Sequence, residues 1–321
     1  MDKRYCICNG REHWTSCPNI LGAGNLSPER AKKLMSATEA VEQFIKPGCT
    51  LGVGGMHMHN NPMFLIREIV RKGLKIGTLF TSPSANINAD LLIGANLIDE
   101  IFCSYVGFEH LGLAPNFRSA VEKKKIKVRE GDEAAVVFGL RAGMSSLPFI
   151  PLPDGLDLAD TAKVNDYDYR MTKDPFTGES VLVLRSLQPD VSFIHCQKAD
   201  YYGNGIFEGS RFTDVDMAKA SDKVILQVEE LVSDQYIEEH AAKVAIPAML
   251  VDAVIVAPFG CHPTSSHSYY TYDEPHLIEY LTACKEGFDA YLQKYVFGPD
   301  SQEEYIKVVG EHRLAALKEV H

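Results

Sequence analysis

The sequence predicts an α/β protein whose mostly parallel sheet is flanked by helices on both sides. Three observations predict this fold class. Short apolar runs of strand length recur from residue 49 onward, runs of helical length lie between most of them, and no internal repeat is present. Of the 321 residues, 45% are hydrophobic, which suffices for a large core. Because strands buried on both faces are continuously apolar, these runs favour parallel strands connected by helices.

Boundary residues identify the first elements. Ser36 and Glu39 form a capping box that starts a helix, and Gly54-Gly55 ends a strand over 49–53. The further strand-like runs are 76–81, 100–106, 126–129, 181–184, 191–195, 224–228 and 253–257. The further helical runs are 63–72, 132–144, 214–220 and 274–295.

Residues 1–34 differ in composition from the rest and are predicted to be an extension, so that one domain spans 35–321. They are rich in Gly, Asn, Pro and Cys and show no clear period. The extension contains four possible ligands of a structural zinc ion, namely Cys6, Cys8, His13 and Cys17. Their spacing matches none of the common zinc patterns, and the alternative is that they are ordinary thiols beside an ordinary histidine.

Charge and cysteine usage limit the class of protein. The formal net charge is -11 and the pI is about 5.5, which argues against nucleic acid and anionic membranes as main partners. No run of 18 apolar residues exists, and the N-terminus lacks the apolar segment of a secretory signal. Eight cysteines spread along the chain fit reduced thiols better than a disulfide framework. We therefore expect a cytoplasmic protein that binds neither nucleic acid nor membrane.

The segment from Gly54 to Asn61, called the glycine loop below, is the first candidate site. Two glycines after a strand let the backbone approach a ligand closely, and the helix that starts near Pro62 would offer unpaired N–H groups to an anion or oxyanion. The alternative is a tight turn that needs glycine for its dihedral angles. His57 and His59 could bind a metal or carry protons, although nothing nearby completes a metal site.

Polar and aromatic residues follow two of the predicted strands, and two glutamates flank a predicted helix start. Ligands in open α/β sheets collect at the carboxyl ends of strands, where these residues lie. The residues concerned are Ser82, Ser84, Tyr105, Gly107, Phe108 and Glu109. For the two serines, turn formation around Pro83 is the alternative. Glu130 and Glu133 flank the helical run 132–144, where favourable interaction with the helix dipole competes with a catalytic role.

Four ordered motifs make this chain resemble the class I CoA-transferases, in particular the α-type subunit of glutaconate CoA-transferase. The glycine loop is similar to the family's signature of two glycines, an aromatic residue, a variable run and a proline. Met56 stands where Phe is usual, and Asn60 stands where a third Gly is often found. Further similar segments are 141–149, 188–204 and 252–273. The resemblance covers roughly residues 36–318 and implies the CoA-transferase (NagB/RpiA-like) fold.

The resemblance implies a two-chain enzyme. In this family a glutamate carboxylate attacks the acyl-CoA thioester, and a glutamyl-CoA thioester then carries coenzyme A to a second carboxylic acid. The nucleophile lies in a Ser-Glu-Asn-Gly-like motif, which this chain lacks. The resemblance therefore implies an α subunit that depends on a β-type partner for the nucleophile, in αβ pairs that assemble into α2β2 or larger forms. Coenzyme A would be a substrate carrier, with no permanently bound cofactor and no metal.

Two other functions remain open at this point. By the resemblance, the acyl pocket would be lined by Gly54, Gly55, Met56, His57 and Asn60. A ring-cleaving branch of the same family hydrolyses cyclic β-diketone CoA esters with an α-subunit glutamate as base, so Glu130 and Glu133 keep hydrolysis as an alternative. A non-catalytic sugar-phosphate or regulatory ligand-binding module would need a phosphate loop or a basic DNA-binding segment, and neither is evident.

The glycine loop also bears on the substrate. Related α subunits carry Arg or Lys in this loop before the proline, whereas this chain has His-Met-His-Asn-Asn at 57–61. A distal carboxylate requires a cation to bind it. The sequence therefore predicts a less anionic substrate, of which a bulky aromatic or alicyclic acid is an example.

Overall fold

A computed structural model describes residues 33–158 and 160–318. The first half contains α1 (Ala37–Phe44), β1 (Thr50–Val53), α2 (Met63–Lys72), β2 (Ile76–Thr81), β3 (Ser84–Ala85), α3 (Ile87–Gly94), β4 (Ile98–Cys103), β5 (Tyr105–Val106), α4 (Pro115–Glu122), β6 (Lys127–Glu130), α5 (Glu133–Met144) and β7 (Phe149–Pro151). The second half contains α6 (Thr161–Val164), β8 (Tyr169–Lys173), β9 (Ser180–Arg185), β10 (Val191–Ala199), β11 (Gly205–Ile206), α7 (Asp214–Ala220), β12 (Lys223–Leu231), α8 (Asp234–Glu239), β13 (Val244–Ile246), β14 (Ala253–Val256), α9 (Glu274–Ala283), α10 (Phe288–Leu292), α11 (Gln302–Val309) and α12 (Glu311–Lys318).

Within the described residues, nine strands form the central sheet. Seven of them are parallel, in the order β6-β4-β2-β1-β10-β12-β14, and β11 and β13 add antiparallel pairs beyond the end of β10. The strand order reverses between β1 and β10, and ligands of open α/β sheets bind at the carboxyl ends of the strands at such a switch point. The predicted fold class, a mostly parallel sheet flanked by helices, is confirmed.

Helices cover both faces of this sheet because successive residues of a strand point to opposite faces. On one face Leu51, Phe193 and Ile255 belong to a core that includes α2, α3 and the C-terminal helices. On the other face Ile194 and Leu226 pack with α5 and α7. All five side chains are fully buried, and removing each from water contributes about 1.5–3 kcal/mol.

A second, smaller sheet lies outside this layered arrangement. Its three strands are antiparallel in the order β7-β9-β8. The run 181–184 forms a strand as predicted, but it pairs in this small sheet and not in the parallel repeat. Arg129, at the end of the central sheet, donates to the fully buried Asp168 and to Glu100, which ties the small sheet to the body.

Most predicted boundaries agree with the structure. The predicted bounds of α2, β2 and α7 coincide with the observed ones, and the capping box of Ser36 with Glu39 is present at the start of α1. Two predicted elements are divided. The run 100–106 separates into β4 and β5, and β5 pairs with β3. The run 274–295 is interrupted at Gly287, whose φ of 115° lies in the left-handed region that favours glycine.

The remaining sequence predictions have different outcomes. Cys49, Cys103, Cys196, Cys261 and Cys284 are free thiols. Among the described residues, no helix is both long enough and apolar enough to cross a bilayer. The cluster of Cys6, Cys8, His13 and Cys17 lies outside the described residues, so the zinc hypothesis and the extension ending at residue 34 stay predictions.

Candidate active site

The glycine loop leaves β1 at the switch point and passes against the start of α7. A Cβ atom added to Gly54 would stand 2.2 Å from Asp214 Oδ1, so only glycine fits without displacing this carboxylate. Gly55 has a φ of 80° and donates its N–H to the same oxygen over 2.9 Å. Contacts within the chain therefore explain why both positions are glycine. Asp214 lies too close to Gly54 for a Cβ atom, and Gly55 adopts a left-handed turn.

Asp214 is a fully buried carboxyl group at this turn. Its Oδ1 accepts the N–H of Gly55, while its Oδ2 has no hydrogen-bond partner in the described part of the chain. Burial raises the pKa of Asp214 to about 7, and the bond from Gly55 opposes that rise. The group that shapes the glycine loop thus changes protonation near neutral pH.

Most N–H groups of the glycine loop are engaged inside the chain. Those of Gly54, Met56, His57, His59 and Asn60 donate to backbone carbonyl oxygens over 2.7–2.9 Å. The start of α2 is engaged as well, since the N–H of Phe64 donates to the Gly260 carbonyl and that of Leu65 to the Gln227 side chain. The expectation that this helix offers unpaired N–H groups to an anion is wrong for these two residues. The loop consequently presents side chains more than amide groups to a ligand.

Asn60 links the loop to two other segments. It is fully buried, and its backbone is left-handed with a φ of 55°. Its Oδ1 accepts from Gln197 Nε2 over 3.1 Å and from the backbone N–H of His267 over 3.2 Å, and its Nδ2 lies 3.3 Å from His267 Nδ1. Because two donors fix the amide oxygen, the Asn60 amide nitrogen is the donor toward His267.

The partly exposed side chains of His57 and Glu109 are in contact at the site. His57 Nδ1 contacts Glu109 Oε1 without meeting hydrogen-bond geometry, and the two side chains are 33% and 41% exposed. Both residues have left-handed backbones, with φ of 51° and 53°, although neither is glycine. Such conformations cost about 1 kcal/mol or more each and cluster at functional sites. The Tyr105 ring lies 6.3 Å from the His57 ring, so three predicted site residues from two loops come together.

The other predicted site residues divide into two groups. Ser82 and Ser84 lie at the loop, since the Ser84 carbonyl accepts the N–H of His57 and Ser82 Oγ accepts from Thr213 over 2.8 Å. Gly107 and Phe108 have structural contacts instead: the Gly107 carbonyl accepts from Asn86, and the buried Phe108 ring stacks on Tyr280 at 5.7 Å. The binding roles of all eleven predicted residues stay predictions.

A second group of rings surrounds His59. The His59 ring lies 5.2 Å from the His267 ring and 6.5 Å from the Tyr272 ring, and Phe212 lies 5.8 Å from His267. His59 Nδ1 is 2.6 Å from Ser265 Oγ. Burial and the neighbouring imidazoles of His267 and His57 lower the pKa of His59, and Glu109 opposes this effect. His57, Glu109 and the His59 ring group are therefore electrostatic neighbours at one site.

A buried polar layer supports the loop from below. His195 bonds Ser266 Oγ over 3.0 Å and Gln227 Nε2 over 3.1 Å, and burial lowers the pKa of His195 to about 3. Glu229 accepts from the Tyr270 hydroxyl over 2.6 Å, and burial raises the pKa of Glu229 to about 7. These groups satisfy one another and connect to Asn60 through Gln197, which also bonds Ser266. The layer thus rigidifies the loop.

Two triads of buried side chains have spacings compatible with a metal ion. They are His195–Glu229–Cys261 and His262–Asp273–His276. In the second, His262 Nε2 already bonds Asp273 over 3.0 Å, and the Arg313 guanidinium also contacts that carboxylate. A guanidinium at this carboxylate opposes a cation there, so we assign the second triad to structural hydrogen bonding.

Glu130 and Glu133 are both exposed. Glu130 ends β6 and Glu133 begins α5, whose N-cap is Asp132, which accepts from the N–H of Ala135 over 2.7 Å. In the described chain neither glutamate has a hydrogen bond or ion pair with a glycine-loop side chain. Their catalytic role stays a prediction, and Glu109 is the glutamate that the structure brings to the loop.

Two described cavities lie away from this site. One of about 500 Å³ lies on the small sheet and is lined by Phe149, Tyr167, Arg170 and Arg185 among others. Another of about 390 Å³ lies between α1, α2 and the start of α11. Neither is lined by a residue of the glycine loop.

Several residues of the site were not singled out from the sequence. They are Asp214, Gln197, Thr213, Ser265, Ser266, His267 and Glu229. Asp214 carried a weak signal as an acidic residue at the first position of a predicted helix. The run Ser265-Ser266-His267 carried none, because its role depends on contacts with a loop about 200 residues earlier in the chain.

Comparisons with known proteins agree on one family. The family model for coenzyme A transferase matches residues 34–257. The chain is 36% identical over 301 residues to a protein of Archaeoglobus fulgidus, covering 92% of this chain and 66% of that one, so it spans about two thirds of that relative. It is 30% identical over 305 residues to the A-type subunit of glutaconate CoA-transferase from Acidaminococcus fermentans, covering 90% of this chain and 95% of the relative.

Structural comparison identifies the same relative. The crystal structure of glutaconate coenzyme A-transferase from Acidaminococcus fermentans superposes with a TM-score of 0.82 at 30% identity, over 89% of this chain and 95% of that one. A cholesterol ring-cleaving hydrolase IpdA subunit of Rhodococcus jostii is 28% identical over 288 residues, covering 85% of this chain and 94% of the relative.

Proposed function

Because this chain belongs to the coenzyme A transferase family, we propose that it is the α-type subunit of a heteromeric CoA-transferase. The enzyme would move coenzyme A between an acyl-CoA and a carboxylic acid. Coenzyme A would enter and leave as a substrate, with no resident cofactor, and the protein would work in the cytoplasm. The partner would be a β-type chain, in αβ pairs that form α2β2 or larger assemblies.

The observation that carries this proposal is the partial exposure of His57 and Glu109 at the glycine loop of a chain that resembles the α-type half of such enzymes. Glu109 and His57 are 41% and 33% exposed there, whereas covalent catalysis by a carboxylate requires a site from which water is excluded. The buried Glu229 is engaged by Tyr270 and Phe259 beneath the loop. A second chain would therefore both cover this exposed part of the site and supply the attacking carboxylate.

The reaction would proceed through the partner's carboxylate. That carboxylate attacks the thioester carbonyl, the carbon–sulfur bond breaks, and the coenzyme A thiolate leaves. The thiolate then attacks the glutamyl carbonyl of the anhydride, so that the first acid departs and a glutamyl-CoA thioester remains. A second acid reverses these steps. The part of this chain would be to hold the acyl group against side chains of the glycine loop.

Trapping of the intermediate tests this proposal. The chain is produced together with the β-type chain encoded beside it, incubated with acyl-CoA, and treated with borohydride or hydroxylamine. We expect mass spectrometry to find one modified glutamate, on the partner. Turnover of CoA esters by this chain alone would contradict the two-chain mechanism.

Hydrolysis of a CoA ester is a second candidate because of one specific observation. Glu109 and His57 form a carboxylate–imidazole pair at the loop, each with a strained backbone. Such a pair can take a proton from water as the water oxygen bonds the carbonyl carbon. In water enriched in ¹⁸O, hydrolysis places the label in the product acid without any glutamyl adduct, whereas transfer to an acceptor acid places no solvent oxygen in the product thioester.

A further inference from the structure

The side chains around the glycine loop restrict the acyl group that can bind there. We propose that the site selects acyl groups that carry a flat ring and no second carboxylate, and that Glu109, His59 and His267 determine this specificity. The inference rests on the proposed function, because it names the substrate class of the same site. It concerns the ring group defined here as His57, His59, Tyr105, Phe212, His267 and Tyr272.

His267 Nδ1 faces the side-chain amide of Asn60. Asn60 has its oxygen fixed by two donors, so its amide nitrogen donates toward His267 Nδ1 over 3.3 Å. An imidazole nitrogen that accepts a hydrogen bond carries no proton, so the ring is neutral while this contact lasts. A cationic His267 would place two donors against each other and break the bond that anchors Asn60.

His59 is held neutral by a different cause. Burial is the largest of the causes that lower the pKa of His59. Its Nδ1 also has a hydroxyl partner, Ser265 Oγ, at 2.6 Å, which can bond the neutral ring. Two of the three imidazoles at the loop therefore contribute polar surface without positive charge.

The third imidazole is matched by a carboxylate. His57 Nδ1 contacts Glu109, so a proton on His57 is offset by the charge of that carboxylate. The three histidines and Glu109 together offer no net positive charge to a ligand. Within this group of described side chains, a second carboxylate on the acyl group would meet Glu109 without a cation to bind it, and two carboxylates in contact repel each other.

The geometry of the rings suits a flat apolar group. His59 lies between His267 at 5.2 Å and Tyr272 at 6.5 Å, and Tyr105 lies 6.3 Å from His57. Ring pairs prefer centroid separations of about 4.5–7 Å in offset or edge-to-face arrangements, so a further ring can pack against a face or edge of this group. Phe212, tilted at 51° to His267, extends this surface.

Arg211 provides the competing interpretation. It is exposed and directly precedes Phe212, so its guanidinium is the nearest cation along the chain to the ring group. If Arg211 reached the acyl group, a dicarboxylic substrate would be accepted. The test therefore includes Arg211→Gln beside Glu109→Gln.

The experiment uses the complex with the β-type chain and three thioesters. Phenylacetyl-CoA carries a ring, pentanoyl-CoA has neither ring nor second carboxylate, and glutaryl-CoA matches pentanoyl-CoA in length but adds a carboxylate. We expect kcat/KM for phenylacetyl-CoA to exceed that for glutaryl-CoA about 100-fold, with pentanoyl-CoA between them. Glu109→Gln should reduce the discrimination between pentanoyl-CoA and glutaryl-CoA about tenfold. The ratio is the readout because it is independent of a general loss of rate.

The controls separate charge at the site from charge elsewhere. Glu122→Gln removes an exposed carboxylate that bonds Arg118 on α4, and we expect it to leave the ratio unchanged. Glutaryl-CoA used as well as pentanoyl-CoA by the unmodified complex would overturn the inference, and loss of that use in Arg211→Gln would identify the cation responsible.

Failure of the proposed function would give a result that differs from failure of the substrate-class inference. If none of the three thioesters transfers coenzyme A, the transferase proposal fails, and the inference is then tested by binding. Saturation-transfer NMR of the chain with phenylacetate and with glutarate measures the preference directly. Selective binding of phenylacetate supports the substrate class, and equal or stronger binding of glutarate overturns it.

Discussion

The glycine loop and the outer face of the small sheet differ in how their polar and apolar groups are satisfied. In the loop, backbone N–H groups, Asn60 and Asp214 bond within the chain at distances of 2.7–3.5 Å. On the small sheet, Phe149 and Tyr167 are 49% and 48% exposed beside a cavity of about 500 Å³. Most polar groups of the loop are thus bonded within the chain, apart from Asp214 Oδ2, while the small sheet leaves apolar surface in water.

This difference shows which polar and apolar groups of a site a single chain can satisfy by itself. Buried polar groups must be paired inside the chain, because each unpaired one costs about 1–3 kcal/mol. Exposed rings need no such partner. Beside the small sheet, the guanidinium groups of Arg129 and Arg185 lie 4.8 and 4.5 Å from the Tyr167 ring. The loop should therefore be intolerant of substitution, and the outer face of the small sheet tolerant.

The junction between the small sheet and the central sheet should give the largest effect. Arg129 is 7% exposed in its side chain and bonds Asp168, whose side chain is fully buried. Arg129→Gln leaves the Asp168 carboxylate without its cation, and breaking a buried pair this way costs about 3–5 kcal/mol. We expect urea unfolding to reveal this loss, and hydrogen exchange to increase first in the small sheet.

An exposed ion pair serves as the control for that change. Arg118→Gln removes a partner of Glu122 on α4, where both side chains are more than 60% exposed. We expect no measurable loss there, because solvent screens an exposed pair. Equal losses from Arg118→Gln and Arg129→Gln would mean that burial does not distinguish the two pairs.

Substitution inside the loop should give the next effect. Gly54→Ala puts a methyl group 2.2 Å from Asp214 Oδ1, so either the loop or the carboxylate must move. Overpacking of this kind costs about 1–3 kcal/mol, and displacement of His57 should lower kcat/KM of the complex with its partner by about 100-fold. Gly73→Ala is the matched control, because an added Cβ there meets nothing within 4 Å and only the φ of 62° is strained. Activity retained in Gly54→Ala would contradict the role of Asp214 in shaping the loop.

The pH dependence of stability tests the buried carboxyl groups beneath the loop. Burial raises the pKa of Asp214 and of Glu229 to about 7, whereas both titrate near about 4 in an unfolded chain. Between these values the folded state holds more protons, so the free energy of unfolding falls as the pH rises through this window. We expect a fall of about 2–3 kcal/mol for each of the two groups between pH 5 and pH 8. In Asp214→Asn this fall should be shallower, and an unchanged slope would exclude Asp214 as its source.

The sequence predicts the layered body better than it predicts partners in space. Apolar runs and turn residues located α2, β2 and α7 with their observed bounds, because each depends on local signals. The antiparallel placement of β9 was missed, since an apolar run does not specify its neighbour. The break at Gly287 was missed because a single glycine inside a helical run is often tolerated.

In the candidate site, too, some features could be predicted from the sequence and others could not. Glu109 was identified from its position after a strand, a rule that follows from topology, and His57 from the resemblance of the glycine loop to a family signature. Their direct contact was not foreseen, because 52 positions of chain separate them. The Asp214 carboxylate, which accounts for Gly54, lies 159 positions beyond the residue it bonds, and no local pattern reports such a contact.

The smallest effect is expected on the outer face of the small sheet. Phe149 is paired opposite Arg185 in the register of β7 with β9, and about half of its surface is in water. Phe149→Ser removes little buried area, so the free energy of unfolding of the isolated chain should change by less than about 0.5–1 kcal/mol. Leu184→Ser, one position along the same strand pair but fully buried, should cost several times more, since burial of its side chain contributes about 1.5–3 kcal/mol. Similar losses for both variants in urea titrations would mean that the outer face is covered within the chain itself, and the contrast with the glycine loop would then disappear.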